Sequence, residues 1–248
     1  MFTSAMQLKG WIKNKSKETD THANELLQNY MLERFLERIS LSPYRENMTI
    51  KGGFLIAAMV GVSLRSTMDL DTTIKGLPIN REKIETMMSE IISIHVDDGV
   101  SFEMKDIRNI RDISEYDDYR VSLIAAFQIL RVDLAIDITI GDIIIPHEVE
   151  YKYKMMFEDR TVSIMAYGLN TILAEKIETI LKRGIGNTRG RDLYDVYLLL
   201  STNRNFIEKM KLLHAIKVKA EDRNSVPAIK NHATILSDIS KSPEVAKI

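Results

Sequence analysis

The chain has 248 residues, 45% of them hydrophobic, which suffices for one large domain or two smaller ones that share a core. Its net charge of −1 gives no overall preference for nucleic acid or membrane, and the absence of cysteine excludes disulfides and thiolate metal sites. Residues 1–15 lack the apolar core of a signal peptide, and no apolar run approaches the ~20 residues of a membrane-spanning helix. We therefore expect a cytoplasmic protein without a membrane partner.

The first predicted elements are a helix, a strand and a short second helix. Residues 24–41 place apolar side chains at helical spacing with charges between them, which predicts an amphipathic helix. Residues 48–53 predict a strand that runs into a Gly-Gly turn, and residues 54–62 predict a helix too short to be stable without packing. Because Gly52 and Gly53 have no Cβ atoms, a phosphate could approach their backbone at the N-terminus of that helix.

The next predicted strand, residues 66–74, carries an Asp-x-Asp sequence. Strand alternation points Asp69 and Asp71 to the same side, about 7 Å apart, while Leu70 points into the core. Two such carboxylates repel each other unless solvent or a cation lies between them, and Mg²⁺ (or Mn²⁺) accepts such a pair together with phosphate oxygens. An isolated Asp-x-Asp is commonly a solvated strand end, but the preceding Gly-Gly turn favours a metal and phosphate site.

A helix over 81–94 and an Asp-Gly turn at 98–99 precede one or two Val- and Ile-rich strands within 119–145. Asp133 and Asp137 point to the same side of this stretch, roughly 13 Å apart, so they cannot both serve one ion pair comfortably. An aspartate in so apolar a strand needs a partner, a metal or solvent. Alternation alone does not choose between the two aspartates, and a solvated strand face remains an alternative.

After Pro146 the pattern becomes mainly helical. Residues 166–183 and 192–201 predict helices, and most of the remainder predicts further helix. From Ser201 onward the chain has nine Lys/Arg and five Asp/Glu residues. This local positive charge suggests a polyanionic substrate such as RNA.

One lysine falls within the apolar face of the helix predicted at 166–183. Lys176 lies between Ile172 and Ile180 in a stripe formed by Leu169, Ile172, Leu173, Ile177 and Ile180. The side chain could lie along the core with its ammonium group in water. Alternatively, Lys176 could reach a phosphate or a carboxylate across a cleft between the two halves.

The following helix carries two aspartates on one face, Asp192 and Asp195, three residues apart. Its core face is predicted to consist of Leu193, Val196, Tyr197 and Leu200. Arg189 and Arg191 come just before or at the helix N-terminus, where cations are unfavourable unless they pair with the aspartates or bind an anion. With Lys176 they form a positive patch suited to a triphosphate or a nucleic-acid backbone.

Four segments occur in the order KGGFLIAAMVGVSLRSTMDLD, IDITIGD, AEKIETILKRG and RGRDLYDVYLL. Together they resemble the AbiEii/AbiGii-type nucleotidyltransferase toxins of the DNA polymerase β-like nucleotidyltransferase superfamily, over about residues 20–200. The resemblance implies an α+β fold: a nucleotidyltransferase domain with a mixed sheet and N-terminal helices at 1–155, then a helical domain at 156–248. It implies Mg²⁺-dependent transfer of a nucleoside monophosphate from an NTP to an acceptor, such as tRNA. It also implies a toxin of a bacterial toxin–antitoxin or abortive phage infection system, with a separate antitoxin encoded nearby.

The resemblance assigns roles residue by residue. The metal ligands are Asp69, Asp71 and a strand aspartate, for which Asp137 matches better than Asp133 because ITIGD follows it. The nucleotide-binding residues are Gly52, Gly53, Arg65, Arg189 and Arg191. The catalytic set is Asp69, Asp71, Lys176, Asp192 and Asp195.

Two departures from the family pattern keep a second hypothesis open. Phe54 follows the glycines where many superfamily members have Ser or Thr, so a hydroxyl contact to phosphate is missing. Asn170 stands where family members often have Glu. The alternative is a non-catalytic module that keeps the fold and binds a nucleotide or a protein. Neither the NTP nor the acceptor follows from the motifs.

Overall fold

The computed structural model describes residues 1–61, 63–65, 67–110, 118–187, 190–243 and 245. Its α/β region consists, in chain order, of α1 (Ala5–Thr19), α2 (Ala23–Leu41), β1 (Met48–Lys51), α3 (Gly52–Val60), β2 (Asp69–Ile74), α4 (Arg81–Ser93), β3 (Val100–Asn109), β4 (Tyr119–Phe127), β5 (Leu130–Ile140), β6 (Val149–Lys154) and β7 (Thr161–Ala166). A helical region follows, with α5 (Leu169–Arg183), α6 (Gly190–Thr202), α7 (Lys209–Asp222), α8 (Val226–Lys230) and α9 (His232–Lys241). The predicted α+β fold is therefore confirmed.

The chain forms two compact units. Unit 1 comprises residues 1–142 and 149–166, and unit 2 comprises residues 143–148 and 167–248. The domain boundary predicted after residue 155 falls between β6 and β7. Because β7 pairs antiparallel with β6 and parallel with β1, the sheet retains both strands and unit 1 extends to Ala166.

The sheet of unit 1 has seven strands in the order β3-β4-β5-β2-β1-β7-β6. It is mixed: β2 pairs parallel with β5 and antiparallel with β1, and β4 pairs antiparallel with β5. The strand that carries Asp69 and Asp71 therefore lies in the interior of the sheet. We did not predict β6 and β7, although VEYKYK and TVSIMA both alternate in polarity.

Helix α2 differs from the amphipathic helix that its pattern predicts, since its charged residues are buried as well: Glu33, Arg34, Glu37 and Arg38. Each charge has a partner. The Arg38 guanidinium donates to both carboxylate oxygens of Asp98 at 2.8 and 3.0 Å, and Arg160 donates to both oxygens of Glu37 at 2.6 Å each. Bidentate pairing of this kind compensates the cost of burying a charge.

Unit 2 is built around α5, which packs against α6 and α7. Lys219 of α7 is fully buried and contacts Glu175 of α5 at 2.7 Å, and Arg223 contacts Glu178 at 3.2 Å. These ion pairs join residues 44 and 45 positions apart, so the sequence pattern of either helix does not predict them. No helix in the described ranges of the chain is long and apolar enough to span a bilayer.

Candidate active site

A row of charged residues crosses four strands of the sheet in unit 1. Lys51 of β1 lies opposite Asp71 of β2, Asp71 lies beside Asp137 of β5, and Asp137 lies opposite Arg120 of β4. Asp69 lies two residues before Asp71 and hence on the same side of β2. Three carboxylates therefore lie on one side of the sheet, between a lysine and an arginine.

The strand register separates Asp137 from Asp133. The Asp137 side chain is 17% exposed, and its two oxygens accept hydrogen bonds from Arg120 at 2.7 Å each. The Asp133 side chain is 79% exposed and contacts Lys105 Nζ at 3.2 Å. Of the two aspartates that strand alternation left open, Asp137 is the one beside Asp71.

Lys51 was not singled out from the sequence, although it directly precedes the Gly-Gly turn. Its ammonium group forms an ion pair with Asp142 and donates to Thr139 Oγ1 at 2.6 Å. The Thr139 hydroxyl in turn donates to Asp142 at 2.9 Å. Lys51 is thus held beside Asp71 by two residues that follow Asp137 in the chain. Thr139 lies in β5, and Asp142 lies just after the end of β5.

The Gly-Gly turn begins α3, and both glycines are required by close contacts. Gly52 has φ +67°, and a Cβ atom there would lie 1.9 Å from Asp71 Oδ2. A Cβ atom at Gly53 would lie 2.9 Å from Nη2 of Arg65, which is buried, and 3.0 Å from Thr67 Oγ1. The turn therefore admits the Asp71 carboxylate and the Arg65 guanidinium against the first residues of α3.

Phe54, the residue where related sequences often carry a hydroxyl, is part of the core. Its side chain is buried and stacks on Tyr153 with ring centroids 5.5 Å apart. Position 54 therefore contributes packing beneath the turn, and the polar atoms available at the start of α3 are backbone amides.

Burial and the neighbouring carboxylates together raise the pKa of Asp71. Burial is the largest cause, and the neighbouring charges of Asp137 and Asp69 act in the same direction. The Lys51 ammonium and a hydrogen bond from the Gly53 amide oppose the shift without cancelling it. The net shift is therefore upward, and a cation bound beside Asp71 would oppose it by stabilising the carboxylate form.

The carboxylates fit a divalent ion held by few protein ligands. Among the described residues, no group of three or more His, Asp or Glu side chains is arranged to hold a metal. Both oxygens of Asp137 are already engaged by Arg120. Asp69 and Asp71 lie on one side of β2, and Mg²⁺ commonly takes only one or two carboxylates and completes its shell with water and phosphate oxygens.

In unit 2, Lys176 does not simply extend its ammonium group into water. Its Nζ contacts Asp192 Oδ1 at 2.7 Å and Asp195 Oδ2 at 2.8 Å, and both aspartates are buried. Burial by itself lowers the pKa of Lys176, but the attraction of Asp195 and Asp192 outweighs it and the net shift is upward. The three sequence-predicted residues therefore form one ion-paired cluster.

Helix α6 presents the face opposite to the one predicted. Tyr197 is 65% exposed and Leu200 is 40% exposed, whereas Asp192 and Asp195 are buried. The prediction was wrong because the aspartates satisfy Lys176 of α5, and this pairing turns the polar face of α6 inward. Arg191 is exposed in the first turn of α6, and Arg189 lies outside the described residues.

The fold and the acidic site together define the class of protein, a nucleotidyltransferase. The solved structure of JHP933 from Helicobacter pylori is similar, with a TM-score of 0.50 and 17% identity, covering 90% of this chain and 84% of that one. A second Helicobacter pylori structure gives a TM-score of 0.48 at 16% identity, covering 90% of this chain and 86% of that one. The structure of the antibiotic-resistance factor ANT(2'')-Ia gives a TM-score of 0.46 at 13% identity, covering 85% of this chain and 98% of that one.

A family model assigns the chain more closely. Residues 34–247 match the AbiEii nucleotidyl transferase toxin of type IV toxin–antitoxin systems, and the chain belongs to this family. Membership implies a nucleotide substrate and an antitoxin partner. A search among curated proteins found no match.

Proposed function

We propose that this protein transfers a nucleoside monophosphate from an NTP to a hydroxyl group of an RNA acceptor such as tRNA, in the cytoplasm, as the toxin of its system. The observation that carries the proposal is the row Lys51–Asp71–Asp137–Arg120 beside the Gly-Gly turn of α3. It combines neighbouring carboxylates on one side of the sheet with backbone amides at a helix N-terminus.

Asp69 and Asp71 are the residues that would hold Mg²⁺ or Mn²⁺. When bound, the ion would neutralise negative charge on the triphosphate and on the departing pyrophosphate. The raised pKa of Asp71, caused by burial and by two like charges, supports this assignment. Asp137 is the third carboxylate of the site.

In the proposed reaction the acceptor oxygen attacks the α-phosphorus of the NTP. The bond from that phosphorus to the bridging oxygen breaks, and pyrophosphate leaves. The acceptor's proton passes to Asp137, whose position beside Asp71 suits a general base. Arg120 donates to both oxygens of Asp137 at 2.7 Å each and so fixes the orientation of the carboxylate group.

The glycines and Arg65 bind phosphate in this proposal. Arg65 lies against Gly53, at the N-terminus of α3, where backbone amides and a guanidinium can contact one phosphate group. Lys176 neutralises the triphosphate, and Asp192 and Asp195 orient its ammonium group through contacts of 2.7 and 2.8 Å. Arg189 and Arg191 are proposed as further nucleotide contacts.

The proposal is tested by incubating the protein with each α-³²P-labelled NTP, Mg²⁺ and total tRNA, and by measuring pyrophosphate release and label in RNA. We expect label transfer with at least one NTP and none with Asp71→Asn. Absence of transfer with every nucleotide and with both Mg²⁺ and Mn²⁺ would favour the non-catalytic alternative, which Phe54 motivates because its ring replaces a phosphate-binding hydroxyl with core packing.

A further inference from the structure

Helix α1 presents three lysines along one side. Lys9, Lys13 and Lys17 are spaced four residues apart, so they follow one face of the helix over about 12 Å. All three are exposed. Within the part of the chain that the structure describes, none of the three takes part in an ion pair, whereas Lys15 on another face contacts Glu18 at 3.0 Å. We call these three lysines the α1 ridge.

A groove of about 330 Å³ runs beside the ridge, between α1 and the beginning of α2. Besides the three lysines, its walls include Ser16 and Asn24, which offer hydrogen bonds, and Leu27, which offers an apolar surface. A groove with cations along one edge and mixed polar and apolar walls suits an extended phosphate chain with sugars and bases attached.

The ridge is held rigidly on unit 1. Trp11 packs on Phe157 with ring centroids 4.5 Å apart, and Phe2 packs on Tyr30 at 5.8 Å. The Ala5 amide at the start of α1 donates to Gln128 Oε1 at 2.8 Å. The apolar side of α1 is therefore occupied by the core, which leaves the lysine side for a ligand.

The groove adjoins the strand that bears the acidic site. Asn24 and Leu27 of its α2 wall lie within one helical turn of Gln28. The Gln28 side-chain amide donates to the carbonyl oxygen of Met68 at 2.6 Å, and Met68 directly precedes Asp69. The helix that forms one wall of the groove is thus tied to the start of β2 by this hydrogen bond.

We propose that the α1 ridge and its groove bind the phosphate backbone of the RNA acceptor and deliver it to the acidic row of unit 1. The inference rests on the proposed transfer to RNA, and it assigns the acceptor a surface in unit 1. The residues matched by the family model begin at residue 34, so the ridge lies outside them. Membership of the family therefore does not by itself predict the ridge. Three cations spread along a helix select an extended polyanion over a single phosphate.

The test measures RNA binding without NTP or metal, so that it does not depend on transfer. Fluorescein-labelled oligouridylate and bulk tRNA are titrated by fluorescence anisotropy over a range of KCl concentrations. Lys9→Gln/Lys13→Gln/Lys17→Gln should weaken binding about 10- to 100-fold at low salt and lower the slope of log K against log salt by about 2. Replacement of the same three residues by arginine should restore both values.

A matched control removes the same charge elsewhere on unit 1, as Lys83→Gln/Lys152→Gln/Lys154→Gln, three exposed lysines that should leave binding unchanged. Equal loss in ridge and control variants, or wild-type binding by the ridge variant, would overturn the proposal. Displacement of the RNA by excess ATP would also overturn it, because the ridge would then bind free nucleotide.

Transfer assays separate this inference from the proposed function. If wild type binds RNA through the ridge but labels no acceptor, the transfer proposal fails and the ridge stands. If wild type labels tRNA and the ridge variant labels it equally well, the ridge fails and the transfer proposal stands.

Discussion

The two units each bury a cluster of charges, and the clusters are balanced differently. In unit 2, one lysine lies between two buried aspartates at 2.7 and 2.8 Å, and its pKa is raised because attraction outweighs burial. In unit 1, the pKa of Asp71 is raised because burial and like charges outweigh Lys51. The first cluster holds one ammonium group between two carboxylates, whereas the second places a buried carboxylate beside two like charges and one ammonium group.

This difference indicates which cluster binds a ligand. A lysine held by two carboxylates is oriented and kept charged, because its ammonium group is paired in a buried setting. A half-buried aspartate beside two others gains from any added positive charge. The unit 1 row therefore supplies the metal-dependent chemistry in our proposal, and the unit 2 cluster positions one ammonium group.

The largest expected effect comes from Asp71→Asn, which removes the central charge of the row. Transfer should fall at least about a thousandfold, since several kcal/mol of charge stabilisation is lost. The folded state should be as stable as wild type or more so, because a repulsive buried charge is removed. The measurement pairs labelled-NTP transfer with urea unfolding, and Asp133→Asn, at the exposed aspartate of β5, is the control that should remain active.

Lys176→Met should destabilise the protein by about 3–5 kcal/mol, because it leaves Asp192 and Asp195 buried without their counter-charge. A lysine that only extended its ammonium group from the apolar stripe into water would instead make this change neutral or stabilising. Adding Asp192→Asn and Asp195→Asn to Lys176→Met should recover most of the stability in urea unfolding. Full stability of the single variant would show that the cluster contributes nothing to unit 2.

Glu33 tests whether burial outweighs hydrogen bonding in setting the pKa of a carboxyl group in unit 1. It accepts hydrogen bonds from the Tyr153 hydroxyl at 2.8 Å and the Met156 amide at 2.7 Å, yet burial raises its pKa to about 7. Because the folded state then binds the proton more tightly than the unfolded state, wild type should lose stability relative to Glu33→Gln as pH rises from about 4.5 to about 7. The loss should reach roughly 3 kcal/mol, measured by urea unfolding across that range. A difference that does not vary with pH would contradict the raised pKa.

Gly52→Ala should cost about 1–3 kcal/mol of stability from its positive φ, and the new methyl group should displace the Asp71 carboxylate. Transfer should therefore fall more than stability alone accounts for. Gly10→Ala is the matched control, because a Cβ atom there meets nothing within 4 Å and helix α1 should gain about 0.5–1 kcal/mol. Thermal melting and transfer rates on the two variants provide the comparison.

Several features of this protein were determined by the sequence itself. The alternation of β2 alone put Asp69 and Asp71 on one side, and Gly52 and Gly53 marked a close approach at the start of α3. Such features depend on neighbouring residues in the chain, so local geometry suffices to predict them. The four family segments, through their order in the chain, also predicted the class of enzyme.

Only the tertiary structure decided the partners of those residues. Strand pairing placed Asp137 beside Asp71 and brought Lys51 and Arg120 into one row, because register joins residues that are far apart in sequence. Pairing with Lys176 of α5 turned the aspartate face of α6 inward, against its apolar pattern. The exposed lysines of α1 acquired a groove through packing on α2 and the aromatic core. Burial and charge balance depend on contacts between distant segments, and periodicity in one segment carries no information about the residues that it will meet.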